Sequence, residues 1–395
     1  MREAVIVAAK RTPVGKAKRG ALAHTRVEDI AKPVIEKLLE VTGVKGDEVN
    51  DFVMGCAMPE AEQGMNIARI VSLYSGLAEE VPAMTVNRFC SSGIETIAIA
   101  STRVMAGFED IVIAGGAETM SMIPMGGNKI VGHPVISSEM PGVYASMGNT
   151  SEQVVERYGE EYNLTREELD KFGLESNLKA AKAIEDGKFA EETVSVPYTT
   201  WKNGKKIEAV LEVDEGPRAD STMEGMAKLR PAFKMKGGVV TAANSSQMND
   251  GAAFVMIMSR EEAEKRELEI LGIMRDYQVV GVDPTIMGVG PAYAIPKLLE
   301  KNNLKYEDID VYEINEAFAS QALYSVRKMG IEHLMDRINV NGGAIALGHP
   351  LGCTGGKLTV QLLHEMKRRG ARYGVVSMCI GGGMGAAGLY EIPPK

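Results

Sequence analysis

Apolar and polar positions along the chain predict short buried strands separated by amphipathic helices. Residues 83–86 predict a strand, and the apolar residues from Ile94 to Met105 recur with helical spacing. The segment between them therefore predicts a turn from a strand into a helix. After Gly107, residues 110–114 predict the next strand. This order of elements is typical of α/β folds with right-handed crossovers.

The same unit recurs near the end of the chain. Residues 337–340 predict a strand, a glycine-rich turn follows, and the next helix is predicted to end before Gly370. Residues 373–378 then predict another strand. Two copies of one unit indicate two similar α/β halves. If these halves pack about a pseudo-twofold axis, the two turns face each other across one site, and we state this as a hypothesis.

The segment between the two units, from about residue 119 to residue 244, has a different composition. It holds loops rich in Met, Gly and Pro, and helices are predicted at 150–158 and 166–186. Thr165 followed three residues later by Glu168 is the signature of a capping box. We interpret the segment as an insertion that supplies a lid or a ligand-binding surface. The alternative is an insertion that has only a structural role.

Composition and charge narrow the class of protein. The 395 residues are 25% charged and 45% hydrophobic, which is typical of a soluble globular protein. The net charge of −9 argues against nucleic acid as the main partner. Four cysteines without a CxxC pair indicate a reducing compartment and argue against structural zinc. The apolar run at the N-terminus is too short for a signal peptide, so we expect a cytoplasmic protein without a membrane partner.

Cys90 occupies the first turn, within the stretch VNRFCSSG. The free N–H groups and the dipole at the start of the following helix stabilise a thiolate. Ser91, Ser92 and Gly93 are small enough for a substrate to approach closely. The pattern predicts a nucleophilic cysteine, and a buried core thiol is the alternative.

His349 lies in the second, glycine-rich turn, NGGAIALGHPLG, without a charged neighbour. Its position in the repeat corresponds to that of Cys90, which favours a catalytic role over a structural one. The other histidines stand in polar or loop segments and are expected at the surface: His24, His133, His333 and His364.

Two further positions end predicted strands. Cys379 follows the last central strand and precedes Gly381, Gly382 and Gly383, whose backbone N–H groups can face a developing oxyanion. Asn315 ends the strand predicted at 310–314 and could hold a water or a carbonyl. Helix capping is the alternative role for Asn315.

These motifs together resemble those of the thiolase family. VNRFCSSG, NEAFA, NGGAIALGHPLG and CIGGGMG follow one another in the order and at about the spacing found in thiolases. The resemblance covers essentially the whole chain. It implies the thiolase fold, an α/β fold of two similar βα halves in a five-layered αβαβα arrangement with an inserted loop domain. The expected division is 1–119 plus 247–270, 120–246, and 271–395.

The resemblance also implies the chemistry. Cys90 is the expected nucleophile, His349 the base that activates it, and Cys379 the acid or base at the departing or attacking acetyl-CoA. One oxyanion is expected near His349 and a water held by Asn315, and the other near the backbone N–H groups of Cys90 and Gly381. Coenzyme A is a substrate, and no metal or other cofactor is needed. The expected assembly is a dimer or a dimer of dimers.

Seven positions match segments that line the CoA site in thiolases: Arg218, Met147, Phe233, Ala242, Ser246, Ala317 and Phe318. A solvated charge is the alternative for Arg218. Lys357 stands where an arginine is common, and we expect little consequence because it follows the His349 motif on a helix. Oxidation that joins Cys90 to Cys379 is a further hypothesis.

The substrate preference is inferred from one position at which this chain differs from acetoacetyl-CoA-specific thiolases. Acetoacetyl-CoA-specific thiolases carry His-Met-Gly where this chain has Ser146-Met147-Gly148. We therefore expect a 3-ketoacyl-CoA thiolase of fatty-acid β-oxidation, working alone or with a partner enzyme. The alternative is a short-chain acetyl-CoA acetyltransferase, and a non-catalytic acyl-CoA-binding or scaffold protein ranks third. The sequence leaves open the chain length, the physiological direction and the choice between dimer and tetramer.

Overall fold

Two β-sheets form the body of the protein in this computed structural model, which describes residues 2–202 and 204–394. The strands of the first sheet are β1 (Ala4–Arg11), β2 (Gly15–Lys16), β3 (Asp51–Gly55), β4 (Ala83–Val86), β5 (Ile111–Thr119) and β8 (Asn249–Ser259). Their order is β1-β8-β5-β3-β4, with β2 beside β8. β3 runs parallel to β4 and β5, whereas β8 is antiparallel to β1 and β5.

The second sheet has the order β10-β11-β12-β9. Its strands are β9 (Ile273–Gly281), β10 (Val311–Ile314), β11 (Tyr373–Ile380) and β12 (Met384–Glu391). β10 and β11 are parallel, and the other pairs are antiparallel. Between the sheets in sequence, β6 (Val196–Lys202) and β7 (Lys205–Leu211) form a separate hairpin.

The helices of the two halves form the remaining layers. They are α1 (Val27–Thr42), α2 (Ile67–Tyr74), α3 (Ser92–Met105), α8 (Arg260–Lys265), α9 (Pro291–Lys301), α10 (Ala319–Met329), α11 (Ala344–Leu347) and α12 (Leu351–Arg369). The segment between β5 and β8 contributes α4 (Pro134–Glu139), α5 (Met147–Tyr158), α6 (Arg166–Glu185) and α7 (Met223–Ala227).

α3 and α12 lie between the two sheets. One apolar core joins Val112 of the first sheet and Val376 of the second to Ile97 of α3 and Leu362 of α12. α1 and α2 cover the outer face of the first sheet, and α9 and α10 cover the outer face of the second. The expected five-layered αβαβα arrangement is therefore confirmed.

Strand alternation explains how both faces of the first sheet are buried. Phe52 and Met54 of β3 belong to the core under α1, whereas Val53 between them belongs to the middle core. Successive side chains of a strand point to opposite faces, so a strand covered on both sides reads as a continuous apolar run.

The starts of α3 and α12 touch through glycine. A Cβ atom on Gly93 would lie 2.6 Å from the backbone nitrogen of Gly356, too close for any other residue. The same Cβ atom would lie 2.9 Å from the carbonyl oxygen of Gly352, so the start of α3 packs on the first two turns of α12. This packing brings the two turns predicted from the repeat close together.

Most predicted elements are present, but the strand predicted at 337–340 is wrong. Only Ile338 makes an isolated bridge, to Tyr312. Asn339 has a φ of 45°, and its side chain accepts from the N–H of Ile314 and donates to the carbonyl of Ile314, both at 2.8 Å. Backbone bonds join this segment to β10 only at Tyr312, and at Ile314 the Asn339 side chain makes the bonds that the next residues of a strand would have made.

Other corrections are smaller. The helix predicted at 150–158 begins earlier, at Met147, because the Ser146 side chain caps it. Thr165 caps α6 as expected. His364, expected at the surface, is buried and its Nε2 lies 3.1 Å from the carbonyl oxygen of Ala9. No helix in the described part of the chain is long and apolar enough to span a membrane.

Candidate active site

Cys90 lies in a strained turn between β4 and α3. Phe89–Ser91 forms a single turn of 3₁₀ helix, in which Phe89 has a φ of 43°. Left-handed backbone at a non-glycine residue costs energy and is held in place by its surroundings. Here the Asn87 side chain accepts the N–H of Phe89 at 2.9 Å, and Ser92 Oγ accepts the N–H of Arg88 at 2.9 Å. The turn therefore presents Cys90 in one fixed orientation.

Burial dominates the electrostatics of the Cys90 thiol. It raises the pKa of Cys90 to about 11, although the backbone N–H groups of Gly381 and of Cys90 itself donate to the sulfur and lower the pKa in part. The expectation that helix-start N–H groups stabilise a thiolate is therefore outweighed by desolvation. The resting residue is a neutral thiol that needs a base.

His349 stands between α11 and α12, and each ring nitrogen has one close neighbour. Nε2 lies 3.3 Å from Nδ2 of Asn315, and Nδ1 lies 2.6 Å from Oγ1 of Thr354. Burial, with a smaller contribution from the charge of Lys357, lowers the pKa of His349 to about 3. The imidazole is therefore neutral at physiological pH and free to accept a proton.

Asn315 follows the last residue of β10, where its backbone N–H donates to the carbonyl of Ser377 at 2.8 Å. The capping alternative for Asn315 is wrong, because the residue before α10 is Phe318. Its Oδ1 is buried and has no hydrogen-bond partner among the described residues. The side chain instead faces the base, as the strand-end position predicted.

Cys379 is fully buried near the end of β11. It packs in one cluster with Met287, Ala317 and Phe318, and Met147 lies against that cluster. Burial raises the pKa of Cys379 strongly, and the charge of a Cys90 thiolate raises it further. The two thiols therefore interact within one site, where both are free. The hypothesis that oxidation joins them stays a prediction.

A cavity of about 390 Å³ lies beside Cys90 and His349. It is lined by Cys90 and His349, by six of the seven positions expected to contact CoA, and by apolar residues that include Met120, Met125, Met248, Met287 and Leu351; the six are Met147, Phe233, Ala242, Ser246, Ala317 and Phe318. The ring of Phe233 packs edge-on against Phe318, with centroids 6.0 Å apart.

A second cavity, of about 240 Å³, continues from the first. Ala242 and Gln247 line both cavities, and Arg218 lines the second. The backbone N–H of Arg218 donates to Oδ1 of Asn177 at 3.1 Å, which fixes the loop that carries it. Cys90, His349 and the seven positions expected to contact CoA therefore line these two neighbouring cavities. Asn315, Cys379 and Gly381 do not line either cavity, but they contact residues that do, namely His349, Phe318 and Cys90.

Two residues of the site were missed by the sequence reading. Thr354 contacts His349, and the buried carboxylate of Glu118 lies where β5 ends. A hydroxyl in the first turn of a glycine-rich helix and an acid at the end of an apolar strand were the available signals. Neither is distinctive without the contacts that the fold creates.

A thiol in a strained turn and a neutral imidazole line one apolar cavity, and a second thiol packs directly behind its lining. This arrangement is typical of an acyl-transfer enzyme with a cysteine nucleophile. Residues 4–261 match the family model of the thiolase N-terminal domain, and residues 268–392 match that of the thiolase C-terminal domain. The chain belongs to the thiolase family, and its expected assignment to the thiolase acyltransferases is confirmed.

Relatives cover the chain almost completely. It is 49% identical to the 3-ketoacyl-CoA thiolase of Bacillus subtilis over 99% of this chain and 100% of that protein. It is 46% identical to the peroxisomal 3-ketoacyl-CoA thiolase A of Mus musculus, over 99% and 91%. Among solved structures, it is similar to the Bacillus anthracis acetyl-CoA acetyltransferase, with a TM-score of 0.88, 40% identity and 99% coverage of both chains. The dimeric peroxisomal thiolase of Saccharomyces cerevisiae gives a TM-score of 0.89, 35% identity and coverage of 99% and 98%.

Proposed function

We propose that the protein catalyses the CoA-dependent cleavage of 3-ketoacyl-CoA, and the reverse condensation, through an acyl group carried on Cys90. The observation that carries this proposal is that Cys90 and His349 line one cavity, with the backbone N–H of Gly381 donating to the Cys90 sulfur. Relatives named 3-ketoacyl-CoA thiolase at 46–49% identity support the same substrate class.

The first half-reaction begins when Nε2 of His349 takes the proton of Cys90. The thiolate attacks the 3-keto carbon, and the bond between C2 and C3 then breaks. Cys379 gives its proton to C2 of the departing enolate, so acetyl-CoA leaves. The enzyme now holds an acyl-Cys90 thioester, a protonated His349 and a Cys379 thiolate.

The second half-reaction restores the starting state. A proton passes from His349 to the Cys379 thiolate, which returns both groups to their neutral state. His349 then takes the proton of an incoming CoA thiol, and the CoA sulfur attacks the acyl carbon. Cys90 leaves as a thiolate and recovers its proton from His349. In this sequence Cys379 works on carbon, whereas His349 works on the Cys90 sulfur and on the CoA thiol.

Two sets of donors support the oxyanions of this chemistry. The backbone N–H groups of Cys90 and Gly381 form one set, and they already point at the Cys90 sulfur. Nδ2 of Asn315 and a protonated Nε2 of His349 form the other. Loss of one such donor typically costs about 2.7–4 kcal/mol of barrier.

The acyl cavity favours substrates longer than acetoacetyl-CoA. Eight of its eighteen lining residues are methionine, phenylalanine or leucine, and the flexible thioether of methionine adapts to apolar chains of different shape. Ser146 lines the cavity and caps α5, at the position that holds histidine in acetoacetyl-CoA-specific thiolases. The alternative of a short-chain acetyl-CoA acetyltransferase is favoured by the likeness to the Bacillus anthracis enzyme of that name.

Thiolysis assays test both functions. We expect kcat/KM for 3-ketooctanoyl-CoA to exceed that for acetoacetyl-CoA, and the opposite order would establish the short-chain enzyme. Activity on neither substrate would favour a binding or scaffold protein. A Cys90→Ser variant with full activity would overturn the mechanism.

The proposal also covers the CoA-binding region, the assembly of the protein and its location. CoA extends from the acyl cavity into the cavity that Arg218 lines, and residues 120–246 act as the lid and CoA-binding domain of the three-part division. A homo-oligomer, a dimer or a dimer of dimers, is supported by the dimeric yeast structure. The four free, buried cysteines fit a cytoplasmic protein, and a β-oxidation enzyme is the proposed partner class.

A further inference from the structure

The two nitrogens of His349 are distinguished by their neighbours. A neutral imidazole carries a proton on one nitrogen and a lone pair on the other, and only the nitrogen with the lone pair can act as a base. Which nitrogen has the lone pair is set by the hydrogen bonds of its partner nitrogen. Nδ1 faces Thr354 on α12, and Nε2 faces Asn315 after β10.

Thr354 has only one hydroxyl proton, and the structure gives that proton a recipient. Thr354 Oγ1 donates to the carbonyl oxygen of Pro350, one turn earlier in the helix, at 2.8 Å. A carbonyl oxygen can only accept. At the 2.6 Å contact with Nδ1, the threonine oxygen is therefore the acceptor, and Nδ1 carries the proton.

The contact between His349 and Asn315, which lies in another part of the fold, indicates the same tautomer. Its Nδ2 group, which can only donate, lies 3.3 Å from Nε2. A protonated Nε2 would place two N–H groups against each other. Nε2 is therefore the nitrogen with the lone pair, in agreement with the contact at Nδ1.

We propose that Thr354 is a positioning residue that holds neutral His349 as the Nδ1–H tautomer, so that Nε2 can take the proton of Cys90. This inference rests on the proposed function for the identity of the proton donor. In the step, the Sγ–H bond of Cys90 breaks and an Nε2–H bond forms on His349. The Nδ1–H bond to Thr354 is kept, so the imidazolium does not have to reorient.

The location of Thr354 suits this role. The residue is fully buried in the first turn of α12, five positions after His349, and β-branching restricts its χ1 angle. A hydroxyl that bonds back to the carbonyl four residues earlier has no freedom to turn towards Nδ1 as a donor without giving up that bond. The first turn of α12 thus fixes the orientation of the His349 ring and keeps its proton on Nδ1.

Matched variants separate this role from a structural one. Thr354→Val keeps the shape of the side chain and removes the hydroxyl, whereas Thr354→Ser keeps the hydroxyl. Thr359→Val is the control, because Thr359 is also buried in α12 and also donates to the carbonyl four residues earlier, at 2.8 Å, without contact to His349. Thermal unfolding of each variant shows whether it is folded.

The decisive measurement is nitrogen NMR of protein labelled with ¹⁵N-histidine, in which protonated and unprotonated ring nitrogens have different shifts. A His349→Ala variant identifies the signals of His349. We expect wild type, Thr354→Ser and Thr359→Val to show the Nδ1–H form at neutral pH, and Thr354→Val to show a mixture or the opposite tautomer. An Nε2–H tautomer in the wild-type protein would overturn the proposal.

Kinetics supply the second readout. Removal of a hydrogen-bond partner that orients a functional imidazole of a metal site costs about 10–100-fold, and we expect a loss of this size in kcat for Thr354→Val, with rescue by Thr354→Ser. Unchanged tautomer and unchanged kcat in folded Thr354→Val would also overturn the proposal. The NMR experiment needs no turnover, so a failure of the proposed function would appear separately, as a wild-type protein without thiolysis.

Discussion

The carboxylate of Glu118, at the end of β5, accepts the backbone N–H of Gly352 in the first turn of α12 at 2.8 Å. The same oxygen accepts the N–H of Ala57 at 2.7 Å. The carbonyl of Ala57 in turn accepts Nδ2 of Asn87, whose Oδ1 holds the Cys90 turn. One buried acid therefore connects the turn of the nucleophile to the turn of the base, across the two halves of the fold.

Glu118→Gln is expected to loosen this connection. The other carboxylate oxygen accepts the N–H of Met58 at 3.3 Å and Nε2 of Gln63 at 2.6 Å. An amide of the same size has only one accepting oxygen, so in either orientation one of the two pairs of donors loses its acceptor. An unsatisfied buried donor costs about 1–3 kcal/mol, and we expect a fall in the free energy of unfolding of that size. Because both turns shift, kcat should fall as well. Urea unfolding and thiolysis assays measure the two effects.

The control for this experiment is Glu300→Gln, at an exposed position of α9. It makes the same chemical change without a buried partner, so neither quantity should change measurably. A Glu118→Gln protein with wild-type stability and kcat would show that the hydrogen bonds of Glu118 between the two turns contribute to neither the free energy of unfolding nor the rate.

The pH dependence of Cys90 alkylation tests the resting protonation state. Since burial raises the pKa of Cys90 to about 11 and lowers that of His349 to about 3, the resting pair is thiol and imidazole. Only the thiolate reacts with iodoacetamide, so the rate should rise about tenfold per pH unit between pH 6 and pH 9. A Cys90→Ser variant gives the background from other cysteines. A rate that levels off below pH 8 would indicate a thiolate–imidazolium pair instead.

Glu365 makes a pH-dependent contribution to stability. Burial raises its pKa, but hydrogen bonds from Arg369, Asn341 and Arg368 outweigh burial and lower the pKa to about 2 from the usual 4.5. A depressed carboxyl pKa stabilises the fold above pH 4.5, and this stabilisation is lost as the pH falls from 4.5 towards 2. Glu365→Gln should therefore cost up to about 3 kcal/mol at pH 7.

The sign of this effect can be checked by urea unfolding of wild type and Glu365→Gln at pH 7, 5 and 4. The difference between the two proteins should be constant from pH 7 to pH 5 and should shrink at pH 4. A difference that grows on acidification would contradict the assigned pKa.

Lys357 was expected to matter little, but it lies in the core. Its side chain is fully buried, and its Nζ has no hydrogen-bond partner in the part of the chain that the structure describes. Burial raises the pKa of the nearby Glu313, and the charge of Lys357 opposes this increase. Lys357→Met would leave Glu313 without that compensation. Glu313 Oε2 and Lys357 Nζ both lack a hydrogen-bond partner among the described residues, and the pKa of Glu313 is raised to about 8. The loss should therefore stay below the cost of about 3–5 kcal/mol that removal of one partner of a buried ion pair causes.

A double-mutant cycle with Glu313→Gln isolates the interaction between the two side chains. We expect the double variant to be more stable than Lys357→Met alone, because no buried acid is then left without a counter-ion. Additive losses in chemical unfolding would show that Lys357 and Glu313 do not act on each other.

The parts of the site that local motifs encode could be read from the sequence, because a strand, a small-residue turn and a helix follow directly in the chain around Cys90. The contacts that the second half of the fold makes with the Cys90 turn could not be read from the sequence. The high pKa of Cys90 results from burial in the assembled site, where Gly381 approaches from the second half. The strand predicted at 337–340 failed because Asn339 uses its side chain for bonds that the backbone would have made.

The contacts of Thr354 and Glu118 show the same limit. Each residue is unremarkable in its own segment, and its role depends on which segments the fold brings beside it. The resemblance to thiolases supplied the five layers, but it gave no information on which side chains fix the tautomer of His349 or join the two turns.

The division of labour between Cys379 and His349 leads to the last prediction. Acyl exchange between acetyl-CoA and CoA forms and breaks only the Cys90 thioester, so it needs His349 and not Cys379. Cleavage of the C2–C3 bond needs the Cys379 proton as well, and general acid catalysis typically contributes about 10²–10⁴-fold. Cys379→Ala should therefore lose thiolysis by at least about 10²-fold and keep isotope exchange between labelled CoA and acetyl-CoA. His349→Ala should lose both reactions. The control is Cys353→Ala, because Cys353 is a buried thiol of α12 outside the cavity lining, and this variant should keep both reactions. If Cys379→Ala lost exchange to the same extent as thiolysis, Cys379 would be acting on the Cys90 sulfur, and the two proton-transfer roles would have to be reassigned.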